Sequence, residues 1–145
     1  MPAIALAGTL IARDNEGAIQ FGKGLVSTIV LSHGLKRVID KERPDGRDDQ
    51  AFPSSHTAVA MHTAAYVHER YGLKLGLPAY VAAAYVGHSR VHDGRHDETD
   101  VVAGAVIGFV AARFFTDRYK SEENQLTIVP AVGENLIGLS ISFRH

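Results

Sequence analysis

Three clusters of side chains in this sequence can handle an anion. The first is Lys36-Arg37-Val38-Ile39-Asp40-Lys41-Glu42-Arg43-Pro44, and the second is Pro53-Ser54-Ser55-His56. The third is Ser89-Arg90, followed by His96 and Asp100. During phosphoryl transfer the charge sits on the equatorial oxygens, so cations and N–H donors must surround them. Lys36, Arg43 and Arg90 can form that clamp, Arg through planar bidentate contacts and Lys as a point charge. Ser54 and Ser55 stand where a helix should begin, and a helix N-terminus presents unpaired backbone N–H groups to an anion.

An attacking atom is also needed. His96 precedes Asp100 by four residues, a spacing that one helical turn brings together. With one imidazole N–H held by Asp100, the other nitrogen is free to attack phosphorus. The leaving alkoxide then needs a proton. His56 is the candidate general acid, a role typically contributing about 10²- to 10⁴-fold.

The spacing Lys-x6-Arg-Pro, then Pro-Ser-x-His, then Ser-Arg-x5-His-x3-Asp resembles the type-2 phosphatidic acid phosphatase superfamily. That group includes lipid phosphatases, bacterial non-specific acid phosphatases and vanadium haloperoxidases. All three motifs occur in order between Lys36 and Asp100. The resemblance implies an α-helical core and a metal-independent phosphatase, without cofactor, acting on phosphomonoesters or on lipid or polyprenyl phosphates. It implies a phosphohistidine on His96, with His56 as acid and Asp100 as its third catalytic residue. Phosphate would be bound by Lys36, Arg43, Ser54, Ser55 and Arg90, and phosphate or vanadate are the expected site ligands. A periplasmic or secreted bacterial location is implied by the resemblance alone. The sequence departs from the pattern once: Ser55 stands where the family usually has Gly, which bears on activity level and substrate range.

Two rival readings use the same residues. One is a vanadate-dependent haloperoxidase, although the resemblance there implies much larger enzymes. The other is a non-catalytic anion-binding or assembly module, motivated by Ser55 and an unpaired hairpin edge. A metal site on His88, His92 and His96 would need one continuous helix, and Gly94 interrupts it, so no metal is expected. His33, His62 and His68 read as core or surface residues. Asp45, Arg47, Asp48 and Asp49 read as a solvated, mutually paired loop at the entrance near Arg43.

The elements that must position these groups are mostly helical. The chain has 145 residues, enough for one domain with a real core. It is 46% hydrophobic, with 14 Gly and no Trp, a composition that favours closely packed helices over a sandwich. The net charge of −1 supplies no basic field for nucleic acid. The absence of Cys excludes disulfides and thiolate chemistry. No run approaches the roughly 20 apolar residues needed to span a bilayer. Contact with a membrane surface is compatible with this, and the start of the chain lacks a basic n-region.

The pattern predicts a short apolar helix over 3–12, a turn at 14–17, and a helix over about 18–41. In that helix Leu25, Ile29, Leu31, Leu35, Val38 and Ile39 are the expected apolar positions. A polar loop follows to Gln50. The next helix should start near Ser54, capped by Ser54 or Ser55, and stop at Gly72. Another should carry Pro78 in its first turn and end near His88, before a polar loop over 89–96. The last long helix should span about 97–119, with acidic residues first and basic residues last. Alternation after residue 124 predicts a β-hairpin over about 124–144. Two strands alone are marginal, so they should pack on the helices or on another copy of the chain. The expectation is thus a single domain over 1–145: a compact bundle of about four main helices, its core at about 18–120, with a short C-terminal hairpin.

Overall fold

The computed structural model describes residues 1–119 and, beyond them, the backbone of 127–133 and 136–142. Five helices follow in order: α1 (Pro2–Ile11), α2 (Asn15–Val38), α3 (Ser55–Tyr71), α4 (Leu73–His92) and α5 (Glu98–Phe115). Strands β1 (Thr127–Gly133) and β2 (Leu136–Ser142) run antiparallel, with Thr127 opposite Ser142. The rest of the expected hairpin, and its packing on the helices, lie outside the described residues.

The central helix is α3, which packs against α1, α2, α4 and α5. Its buried face is built from small residues, Ala58, Ala60, Ala64 and Ala65, with Tyr66 as the large anchor. Tyr66 meets Phe21 of α2 edge-on, ring centroids 4.8 Å apart. Small residues let backbones approach closely, and the α3–α5 contact uses this fully. A Cβ on Gly104 would lie 2.4 Å from the Ser54 carbonyl oxygen, and one on Gly108 only 2.0 Å from that of Ala58. Nothing larger than glycine fits at either place.

The inward face of α2 differs from the one its apolar periodicity predicts. Gly17, Phe21, Gly24, Thr28, Ser32 and Lys36 are buried, while Ile29, Leu31 and Val38 are exposed. Only Leu25 of the expected set packs against the Phe21–Tyr66 cluster. The stripe of small and hydroxyl residues faces the other helices and leads to Lys36 at the site. Thr28 is satisfied within its own helix, donating to the Gly24 carbonyl at 2.8 Å.

Helix bounds shift in three places. Gly72, at φ 93°, ends α3, and α4 starts at once at Leu73, so Pro78 lies inside α4 and not in its first turn. Nothing breaks α4 at Ser89, and it runs on to His92. Gly94, at φ 65°, then turns the chain. The end of α5 at Phe115 falls short of 119.

The end of the bundle formed by the α1–α2 turn and the C-termini of α3 and α5 is locked by a buried ion pair. Arg70 donates twice to Asp14, Nε to Oδ2 at 2.8 Å and Nη2 to Oδ1 at 2.6 Å. Tyr71 and the Gly17 N–H complete the shell of that carboxylate. Arg70 Nη1 also donates to the Asp117 carbonyl at 2.9 Å. These bonds, led by the Arg70 contact, hold the Asp14 carboxyl below its ordinary range.

Candidate active site

The opposite end gathers all three sequence clusters. Lys36 sits in the last turn of α2, Arg43 in the loop after it, Ser54, Ser55 and His56 at the start of α3, Arg90 in the last turn of α4, and His96 and Asp100 at the start of α5. The loop is pinned by main-chain bonds. The Lys41 N–H donates to the Asp49 carbonyl, and the Ala51 N–H donates to that of Lys41. The Phe52–Pro53 peptide that follows is cis.

The second and third motifs are joined through backbone, the Ser54 N–H donating to the Asp100 carbonyl at 2.9 Å. The glycine contact at Gly104 makes this approach possible. Ser54 is the N-cap of α3, as expected, but its side chain caps no backbone N–H. Its hydroxyl accepts instead from Thr57 Oγ1 at 3.0 Å. The first N–H groups of α3 therefore keep no side-chain partner from the cap residue, the condition that makes a helix start receptive to an anion. Ser55 occupies the first helical position, and its buried hydroxyl has no hydrogen-bond partner.

The cations are placed by carbonyls more than by carboxylates. Lys36 is buried and donates from Nζ to the Gln50 carbonyl at 2.7 Å. Burial, then the nearby Arg43, lowers its pKa. Arg43 donates to Asp48 at 2.6 Å and to the Arg95 carbonyl at 3.3 Å. The expected mutual pairing of the loop is met only in part: Asp45 pairs with Arg47 at 3.3 Å, while Asp48 pairs with Arg43. Arg90 belongs to the end of α4 and not to a loop, because the helix continues past Ser89. Among the described residues its guanidinium makes only long contacts, to Ser89 Oγ and Asp93, each at 3.4 Å. Arg90 therefore retains most of its donor capacity.

His96 is buried, and Asp100 is completely so. Their contact departs from the expected one. Nδ1 of His96 faces Asp100 Oδ2 at 3.5 Å without a formed hydrogen bond. His96 precedes the N-cap, so helical i,i+4 geometry does not apply to it. Asp100 is engaged elsewhere: Oδ2 accepts from the Asp97 N–H at 3.1 Å, closing a capping box with Asp97. Oδ1 accepts from Lys41 Nζ at 2.8 Å. Sequence reasoning quoted Lys41 but gave it no part, because its partners lie 56 to 59 residues away.

Both histidines titrate below the usual range. For His96 burial is the main cause, followed by Arg43 and Lys36, against the opposing pull of Asp100. For His56 partial desolvation leads, followed by Arg90, Lys36, Arg43 and Arg95. Lys36 and Arg43 thus act on both rings, while Arg90 and Arg95 act on His56. Beside Ser55 and His56 opens a cavity of about 330 Å³ lined by Met1, Pro2, Val59, Ala60 and Val86.

No group of three or more potential metal ligands occurs among the described residues. His88 and His92 stack at 6.1 Å on one face of α4, while His96 lies beyond the Gly94 turn. His33 is exposed, and His68 meets the Tyr80 hydroxyl at 3.2 Å. His62 is fully buried in the core.

Comparison with known proteins gives a consistent picture. The family described as PAP2 superfamily matches residues 17–122. A lipid A 4'-phosphatase of Helicobacter pylori is 30% identical over 97% of the chain and 75% of its own length. A lipid A 1-phosphatase of Porphyromonas gingivalis is 32% identical over 71% of the chain but only 22% of its own length. The fold resembles the crystal structure of Aquifex aeolicus LpxE, with a TM-score of 0.68 at 24% identity, covering 75% of this chain and 72% of that one.

Proposed function

The chain belongs to the PAP2 superfamily and is a phosphoric-ester hydrolase, and from that premise we propose that it dephosphorylates a lipid phosphate through a phosphohistidine on His96. The observation that carries this reading is the meeting of Lys36, Arg43, His56, Arg90 and His96 in one charge cluster at the starts of α3 and α5. Phosphate docks between the three cations and the free N–H groups that open α3. His96 attacks in line, and the oxyanion charge is met by donors already in place. His56 gives its proton to the leaving oxygen. Water then hydrolyses the phosphohistidine, with His56 taking a proton back. No step draws on a metal.

The lipid assignment draws support from two surfaces. The cavity beside His56 is walled by apolar residues, on the side where the leaving group departs. The outer faces of α2 and α5 expose Val26, Val30, Val106, Val110 and Phe114. We read these faces as making contact with lipid; no described helix is long and apolar enough to cross a membrane. A periplasmic or secreted site of action is part of the same proposal.

The pH dependence follows from the two rings. His96 must be neutral to attack and His56 protonated to donate. Both have lowered pKa values, so activity is expected to peak on the acid side of pH 6.5, the ordinary histidine value. Bound phosphate, being anionic, raises His56 and supports its protonation.

The test is phosphate release from a panel of lipid A, phosphatidic acid, polyprenyl phosphate and soluble monoesters, with trapping of labelled phosphate on the protein in an alkali-stable, acid-labile form. Turnover of lipid phosphates, inhibition by vanadate, indifference to EDTA, and loss of on the order of 10⁴-fold in His96→Ala are expected. Wild-type turnover by His96→Ala, or abolition by EDTA, defeats the mechanism.

A further inference from the structure

Lys41 belongs to the first cluster, yet neither the cation clamp nor the histidine pair uses it. Its ammonium donates to Asp97 Oδ2 at 2.5 Å, to Thr99 Oγ1 at 2.9 Å and to Asp100 Oδ1 at 2.8 Å. The Asp100 side chain is 0% exposed, and that of Lys41 is 31% exposed. The carboxylate is therefore divided between two neighbours. Oδ1 belongs to Lys41, a cation at all working pH values. Oδ2 takes the Asp97 N–H and faces His96 Nδ1 at 3.5 Å, a group that is charged only when protonated.

We propose that Lys41 is a positioning residue for His96: by holding Asp100 Oδ1 it aims Oδ2 at Nδ1 and takes up the carboxylate charge, so that His96 stays unprotonated and able to attack. This rests on the phosphohistidine reading given above.

The energetics run in one direction. Burial works against the Lys41 charge, but the Asp100 and Asp97 carboxylates outweigh it and hold the ammonium above its ordinary pKa. Around the site stand Lys36 of α2, Arg43 of the loop, His56 of α3, Arg90 of α4 and Asp100 of α5. Lys36 and Arg43 disfavour the imidazolium; Asp100, and the Ala51 carbonyl, favour it. With Lys41 removed, the Asp100 charge has one fewer competitor, and the imidazolium gains. A Lys41 that merely tied the loop to α5 would have no such effect. The loop in any case keeps its main-chain bonds to Asp49 and Ala51 when the side chain is lost.

The experiment follows His96 directly, by NMR titration of the histidine rings in the full chain, with His96→Gln to assign the signal. It is run beside the pH profile of kcat/KM for phosphate release. In Lys41→Met the proton affinity of His96 should rise about tenfold, one pKa unit, and the acid limb of the profile should move up with it. Lys41→Arg should restore both. Lys41→Gln, which keeps a donor to Asp100 without the charge, carries the test should the Met variant not fold. An unmoved His96 titration in a folded Met or Gln variant overturns the proposal. Absence of phosphate release by the wild type overturns the phosphatase reading instead, and the ring titration still decides the part played by Lys41.

Discussion

The two ends of the bundle hold arginines in opposite ways. At one end Arg70 is fully spoken for: two short bonds to Asp14, one to a carbonyl, and side-chain exposures of 4% and 3% for the pair. At the other end, among the described residues, Arg90 touches its neighbours only at 3.4 Å, and Ser55 and His96 keep buried polar atoms without partners. A buried charge whose partners are all supplied by the protein serves the fold. Cations and N–H groups left with spare capacity serve a ligand, because an unmet polar group is costly until something meets it.

The comparison can be broken from either side. The largest effect belongs to Arg70→Ala, which strands a buried Asp14. Its expected cost is about 3 to 5 kcal/mol, read as a shift in the urea midpoint, while kcat of the folded fraction stays at wild type. Arg90→Ala should do the reverse: turnover falls on the order of 10²- to 10³-fold, and the midpoint moves by no more than about 0.5 kcal/mol. A variant at Arg90 that unfolded the chain but left turnover intact would erase the distinction between the two ends.

A third prediction concerns His62, buried between the ends with both ring nitrogens unpartnered. Burial lowers its pKa to about 4. A ring with a folded pKa below its unfolded value stabilises the protein above the unfolded value, and that contribution is lost as pH falls through the folded one. Stability is expected to decline from pH 6.5 towards pH 4, by roughly 3 kcal/mol from this ring, and His62→Leu should flatten the decline in melts taken across that range. The smallest effect is expected from Ser55→Gly. It removes the unpartnered hydroxyl and changes stability by less than about 1 kcal/mol, so its consequence should be read in KM across the substrate panel.

Much of this was legible in the sequence, and the failures have physical reasons. Motif spacing picked out Lys36, Arg43, His56, Arg90 and His96, which the fold gathers at one end of the bundle, but gave no part to Arg95, whose charge also acts on His56. The inward face of α2 was misread because apolar periodicity was taken as the guide. In a bundle packed through Gly24 and Ala111, small and hydroxyl residues go inside and valines go out. Arg90 was placed in a loop because polar residues begin at Ser89, yet no breaker occurs before Gly94. The His96–Asp100 contact was drawn with helical geometry, which begins at Glu98, two residues too late to include His96. Lys41 was passed over because its partners come from a segment that only the folded chain brings near.

The contact at Gly104 has a consequence beyond packing. There the main chains of α3 and α5 meet with no side chain between them, and the same meeting carries the bond from Ser54 to Asp100. The placement of the second motif relative to the third is therefore inherited from the backbone, and repacking elsewhere has little leverage on it. Room for change then lies outward, in the loop that carries Arg43 and the apolar walls beside His56. Those surfaces can be rewritten for new leaving groups while the chemistry keeps its register.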